Sequence, residues 1–65
     1  MRAFKGVRHA WTEGYKAGCI ETIGTYTGAP HPPVLKVPLT EDPINYYYRH
    51  GKRQGIEDSL NRAEG

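Results

Sequence analysis

The most chemically distinctive stretch of the chain is "YYYRHGKR", residues 46–53, where three tyrosines precede three cations and a histidine. Positive charge suits nucleic-acid phosphates, and aromatic rings can stack on bases. The stretch therefore indicates a surface for RNA or another anionic partner. The candidate binding residues, with two cations from the N-terminal half, are Arg8, Lys16, Tyr46, Tyr47, Arg49, Lys52 and Arg53. The alternative is a solvated helix face above a tyrosine-rich core, because a helix spreads these side chains around its cylinder.

Three histidines and one cysteine are the residues that could bind a metal or form a nucleophile with its base. No pair has the close spacing of a zinc motif, and His9 lies nearly three helical turns from Cys19. Cys19 is better explained as a small buried residue. No phosphate-binding loop, nucleotide fingerprint or serine-hydrolase elbow is present. We therefore expect a protein that is not an enzyme and that has no metal, cofactor or small-molecule substrate.

Size and composition limit the class of protein. The 65 residues allow one domain, and a domain of this size buries only about 60% of its unfolded surface. A partner or self-association is therefore expected. The net charge of +2 permits an anionic partner. A single cysteine fits a reducing compartment, and no stretch resembles a signal peptide or a membrane span. These features predict the cytoplasm of a bacterial or phage-infected bacterial cell, with no membrane partner.

Two helices are predicted to position the candidate residues, the first over about 3–22 and the second over about 43–62. Gly24 is expected to end the first helix, and Asp42 and Pro43 suit the N-cap and first position of the second. The apolar residues at the three- and four-residue steps of one helix face are Phe4, Val7, Trp11, Tyr15 and Cys19.

The connector, residues 24–40, contains four prolines, which remove amide donors and disfavour helix in the residues before them. We expect an extended strap that lies on the helices and packs down Tyr26, Val34, Leu35 and Val37. The stretch "PHPPVLKVP" could instead dock, as a short linear motif, in an aromatic groove of a partner.

Each helix carries two glycines four residues apart, in "AWTEGYKAG" and "YYRHGKRQG". A glycine inside a helix costs about 1 kcal/mol relative to alanine. The cost of four such glycines must therefore be offset by a stabilising contact that only glycine permits. Glycine lets a second helix approach unusually closely, either within the chain or in a second copy. A competing interpretation makes Gly18 or Gly55 a C-cap. The predicted helix–helix contact consists of Trp11, Gly14, Tyr15, Gly18, Tyr48, Gly51 and Gly55.

The first glycine stretch resembles the N-terminal motif of the ribosome modulation factor family and its small phage and plasmid relatives. The matching residues are Ala10, Gly14, Tyr15, Ala17 and Gly18, and Tyr48 with Gly51 matches the family's second, aromatic-x-x-Gly motif. The resemblance implies two helices and a linker. For the ribosomal members it further implies binding of ribosomal RNA and silencing of translation.

These observations predict an all-α, two-helix hairpin over residues 1–65, with a long proline-rich connector and the option of self-association. The leading hypothesis for function is a non-catalytic modulator directed at the ribosome or RNA. One alternative is a phage-encoded inhibitor that binds a host protein, such as a defence nuclease or a polymerase subunit, through its aromatic face. Another is a homo-oligomeric structural module joined through the glycines.

Overall fold

The computed structural model describes residues 4–64, and side chains up to residue 62. Two helices are present, α1 (Val7–Ile23) and α2 (Pro43–Glu64), and residues 4–64 contain no strand. The helices pack against each other, so the predicted all-α, two-helix hairpin is confirmed. Neither helix combines the length and the apolar character that crossing a membrane would require.

The beginning of α1 differs from the prediction. The helix begins at Val7 and not near residue 3, which lies outside the described residues. Gly6 occupies the N-cap position with an extended backbone and has no side chain to cap the first turn. The Lys5 N–H donates to His9 Nδ1 at 3.1 Å, and the Phe4 ring packs against Tyr48, with ring centroids 5.6 Å apart. Residues 4–6 therefore form a short lead-in to the helix.

The predicted signals at the connector ends are confirmed. Gly24 adopts a left-handed conformation with φ 76°, and its N–H donates to Ile20 O at 2.9 Å. This is the usual glycine stop of a helix. At the beginning of α2, the Asn45 N–H donates to the Asp42 carboxylate at 3.0 Å, so Asp42 is the N-cap. Pro43 is the first helical residue.

The two helices run in the same direction. Gly14 lies against the Tyr48 backbone and Gly18 against the Lys52 backbone, so a step of four residues along α1 advances the contact by four along α2. The connector must therefore return along the whole of α1, about 25 Å at 1.5 Å per residue. This geometry accounts for a long, extended connector where an antiparallel pair would need only a short turn.

The glycines allow the backbones of α1 and α2 to touch. A Cβ built on any of the four would lie within 3.0 Å of a backbone atom of the other helix, closer than real Cβ atoms approach. Gly51 faces Trp11 and Gly55 faces Tyr15. Close crossing within one chain is thus confirmed. The C-cap interpretation of Gly18 and Gly55 is wrong, since both lie inside their helices.

The connector forms the expected strap over the helix pair. The Tyr47 hydroxyl accepts the Leu35 N–H at 2.8 Å and donates to Leu35 O at 3.2 Å. Leu35, Val37 and Tyr26 pack against the core. Val34 does not pack as predicted: it is 98% exposed, because alternate side chains of an extended chain point to opposite sides.

Candidate nucleic-acid interface

Four residues of the predicted surface stretch lie together on the outer side of α2. They are Tyr46, Arg49, His50 and Arg53, and we call them the basic aromatic face. The Tyr46 and His50 rings are 4.3 Å apart between centroids and inclined by 32°. The Arg49 guanidinium carbon lies 6.0 Å from the Tyr46 centroid. The face thus combines rings and cations within two helical turns.

The buried side of α2 determines which residues face outward. Tyr47, Gly51, Gly55 and Ser59 recur every four residues and are buried against the rest of the protein. Tyr46, Arg49 and Arg53, with the three- and four-residue spacing of a single helix face, fall on the opposite side. The strongly buried stripe therefore holds the basic aromatic face towards solvent.

Both arginines of the face lie near carboxylates. Arg49 Nη2 is 2.8 Å from Glu41 Oε1, and Arg53 Nε is 3.5 Å from Glu57 Oε2. All four side chains are well exposed, and exposed ion pairs contribute only about 0–1 kcal/mol. A phosphate can therefore displace these carboxylates at little cost.

Lys52 does not belong to this face. Its Nζ lies 3.0 Å from Glu21 Oε2 on α1, which places the side chain at the edge of the helix–helix contact. The hydrogen bond to Glu21, and then the Coulombic attraction of the same carboxylate, raise the pKa of Lys52. Of the three candidate cations on α2, only Arg49 and Arg53 thus belong to the basic aromatic face.

Tyr47 was predicted on the binding surface, and the structure contradicts this. The residue is only 6% exposed, and its hydroxyl is committed to the backbone of Leu35. Its ring is part of the core and cannot stack on a base. Consecutive residues of a helix point about 100° apart, so Tyr46 faces solvent while Tyr47 faces inward.

The two α1 cations are not part of the basic aromatic face. Arg8 is exposed and makes no ion pair among residues 4–62. Lys16 Nζ lies 5.8 Å from the centroid of Tyr26 on the strap.

The structure therefore brings together Tyr46, Arg49 and Arg53 and adds His50, which the candidate set did not include. The four-residue spacing of Tyr46 and His50 in the sequence could have indicated that their side chains lie together on one helix face.

The predicted helix–helix contact lies in the core, with Trp11 and Tyr15 stacked at 5.3 Å between ring centroids. The Tyr15 hydroxyl donates to Asp58 Oδ2 at 2.5 Å. Burial, and then the hydrogen bond to Asp58, raise the pKa of Tyr15 to about 12. The four glycines face backbone of the same chain, so they are not available for the glycine-mediated contact between copies.

Two further residues belong to this contact, Asp58 and Ser59, and neither is among the residues predicted for it. Ser59 is completely buried, and its Oγ has no hydrogen-bond partner among the described residues. Ser59 follows Gly51 and Gly55 at the same four-residue step, and this spacing could have identified it as a third small residue of the contact.

The described residues contain no group of three or more potential metal ligands. Cys19 is buried, and its Sγ lies 3.8 Å from Gly55 O as a weak donor. His9 lies on another side of α1, with Nε2 3.9 Å from Glu13 Oε2. The side chains of Cys19 and His9 therefore serve separate local contacts.

The geometry defines the class of protein: it is a small all-α protein in which two parallel helices pack closely and a connector is hydrogen-bonded across them. Comparison of the chain with protein-family models, curated proteins and solved structures found no match. The resemblance to the ribosome modulation factor family therefore stays a prediction from its motifs.

Proposed function

We propose that this protein is a small, non-catalytic RNA-binding protein that modulates translation at the ribosome. The observation that carries the proposal is the arrangement of Tyr46, His50, Arg49 and Arg53 on one solvent-facing side of α2. Rings and guanidinium groups within two helical turns suit a ligand that combines bases with phosphates. The motif resemblance supports the same partner.

The rigidity of α2 supports this use of its outer side. The helix is anchored on its inner side by Gly51 and Gly55 against α1 and by Tyr47 against the strap. The basic aromatic face therefore stands on a fixed support, and binding need not order the backbone. A pre-organised surface loses less free energy to ordering when it binds.

Titration of labelled ribosomal RNA at several salt concentrations tests the proposal. The affinity should fall steeply with salt, with a logarithmic slope of about 0.7 to 0.9 per phosphate contact. The variant R49Q/R53Q should bind more weakly and with a shallower slope. The matched control K5Q/R8Q removes the same charge from exposed residues outside the face and should bind nearly as the wild type does. Equal losses in both variants would refute a localised site.

A second variant uses the neighbouring carboxylate. Glu41 competes with phosphate for Arg49, so E41Q should tighten RNA binding and deepen inhibition in a cell-free bacterial translation reaction. R49Q/R53Q should weaken that inhibition. Tight RNA binding without any effect on translation would retain the RNA site and reject the role as a modulator.

The alternative, an inhibitor that binds a host protein, is favoured by a different observation. Val34 and Leu39 on the strap are 98% and 106% exposed, and exposed apolar side chains suit a protein interface. Such a contact would respond little to salt. A partner bound with a flat salt dependence, and lost in V34S/L39S but not in R49Q/R53Q, would support the inhibitor.

A further inference from the structure

We infer that the basic aromatic face selects unpaired nucleotides over base-paired ones, by stacking a base on the Tyr46–His50 pair. The inference rests on the proposed RNA-binding function and specifies the form of nucleic acid that the site takes. It is carried by the ring geometry of this pair. Binding of phosphates by the arginines alone would not need two adjacent rings.

The two rings already stack on each other, so an incoming base would extend this stack from an outer ring face. They lie 4.3 Å apart with an inclination of 32°, and each side chain is half-buried, so part of each ring stays accessible. Their mutual contact already restricts both side chains. An incoming base therefore gains stacking without paying the full cost of ordering two free rings.

Base pairing would deny the protein this stacking. In an A-form duplex the base faces are covered by their neighbours, and the major groove is too deep and narrow for side chains. The outer side of a helix that carries a tyrosine and a histidine cannot reach a base face there. Unpaired bases, in contrast, can turn out and stack on aromatic side chains.

The arginines give unpaired RNA no advantage over a duplex, because the phosphate charge is at least as dense on the duplex. Arg49 and Arg53 lie three and seven residues beyond Tyr46, on the same side of α2, and can contact phosphates of a strand or of a duplex. Their contribution sets the salt dependence. Any preference for unpaired nucleotides must therefore come from the rings.

Fluorescence anisotropy with short oligoadenylate, oligouridylate and the duplex formed by mixing them tests the inference. The wild type should bind at least one single strand about tenfold or more tightly than the duplex, the size expected for one stacked base. Y46L, which keeps an apolar side chain and a good helix former, should lose this preference. Y46F, which keeps the ring, should retain it. Circular dichroism checks that both variants remain helical.

The outcomes separate this inference from the proposed function. Equal binding of strand and duplex by the wild type, or an equal loss of both in Y46L, overturns the stacking inference and leaves RNA binding intact. If the protein binds neither these oligonucleotides nor ribosomal RNA, the stacking inference and the proposed RNA binding are both overturned. A single-stranded DNA of matched sequence that binds as tightly as RNA supports stacking on unpaired bases and contradicts a function specific for RNA.

Discussion

The substitution Gly51→Ala is expected to destabilise the protein, although alanine is the better helix former. The alanine Cβ would lie within 3.0 Å of three backbone atoms of Trp11, and backbone cannot rotate away as a side chain can. Relief requires the helices to separate by roughly 1 Å, and because the clash is with backbone we expect a cost in the upper part of the range for overpacking, about 2–3 kcal/mol. Helix propensity returns about 1 kcal/mol. The net loss is about 1–2 kcal/mol, out of the roughly 3–5 kcal/mol that a core of this size supplies.

Thermal unfolding followed by circular dichroism at 222 nm measures this effect. A loss of about 1–2 kcal/mol should lower the Tm of a domain of this size by about 5–15 °C. Gly6→Ala is the matched control, because Gly6 has an extended backbone and nothing within 4 Å of an added Cβ. Its Tm should fall less than that of Gly51→Ala, because the change costs only the N-cap preference of glycine over alanine. A Tm of Gly51→Ala above that of the wild type would show that propensity outweighs the clash, and would refute the close crossing.

Three further predictions concern single hydroxyl groups. Ser59→Ala should raise the free energy of unfolding by about 1 kcal/mol, because it removes a buried hydroxyl that has no hydrogen-bond partner among the described residues. Urea unfolding measures this change. A loss of stability would indicate that Ser59 does make a hydrogen bond. The pKa of Tyr15 is raised from 10.0 to about 12, so the stability this shift contributes is complete below pH 10. It should be lost as the pH rises to 12, by about 2–3 kcal/mol; Tyr15→Phe should lack this component of the pH dependence, and identical profiles would contradict the assignment. Tyr47→Phe should release the strap at Leu35, seen as faster amide exchange of Leu35, while unchanged exchange would show that packing alone holds it.

The sequence predicted features that depend on a few neighbouring residues. The Asp42 N-cap and the Gly24 stop each need only local backbone geometry, and the prolines of the connector exclude a helix regardless of context. The glycine spacing also predicted the close crossing, because the cost of four helical glycines has to be offset wherever the partner helix lies.

The features that the sequence did not predict depend on relations across the chain. Helical periodicity identifies a buried side without stating the direction of the partner helix, so the parallel arrangement came from the structure. Tyr47 was predicted on the binding surface, and it is the strap, bonded through Leu35 to the Tyr47 hydroxyl, that makes it part of the core. Asp58 pairs with a tyrosine 43 residues away, a distance at which no spacing rule applies.

The parallel arrangement of the helices has a consequence for how the chain folds. The hydrogen bonds from Cys19 and Tyr15 of α1 to Gly55 and Asp58 of α2 link residues 36 and 43 positions apart, so they form only after a long stretch of the chain has looped back. Folding rates fall as contacts become less local. This small helical protein should therefore fold more slowly than an antiparallel helix pair of equal length.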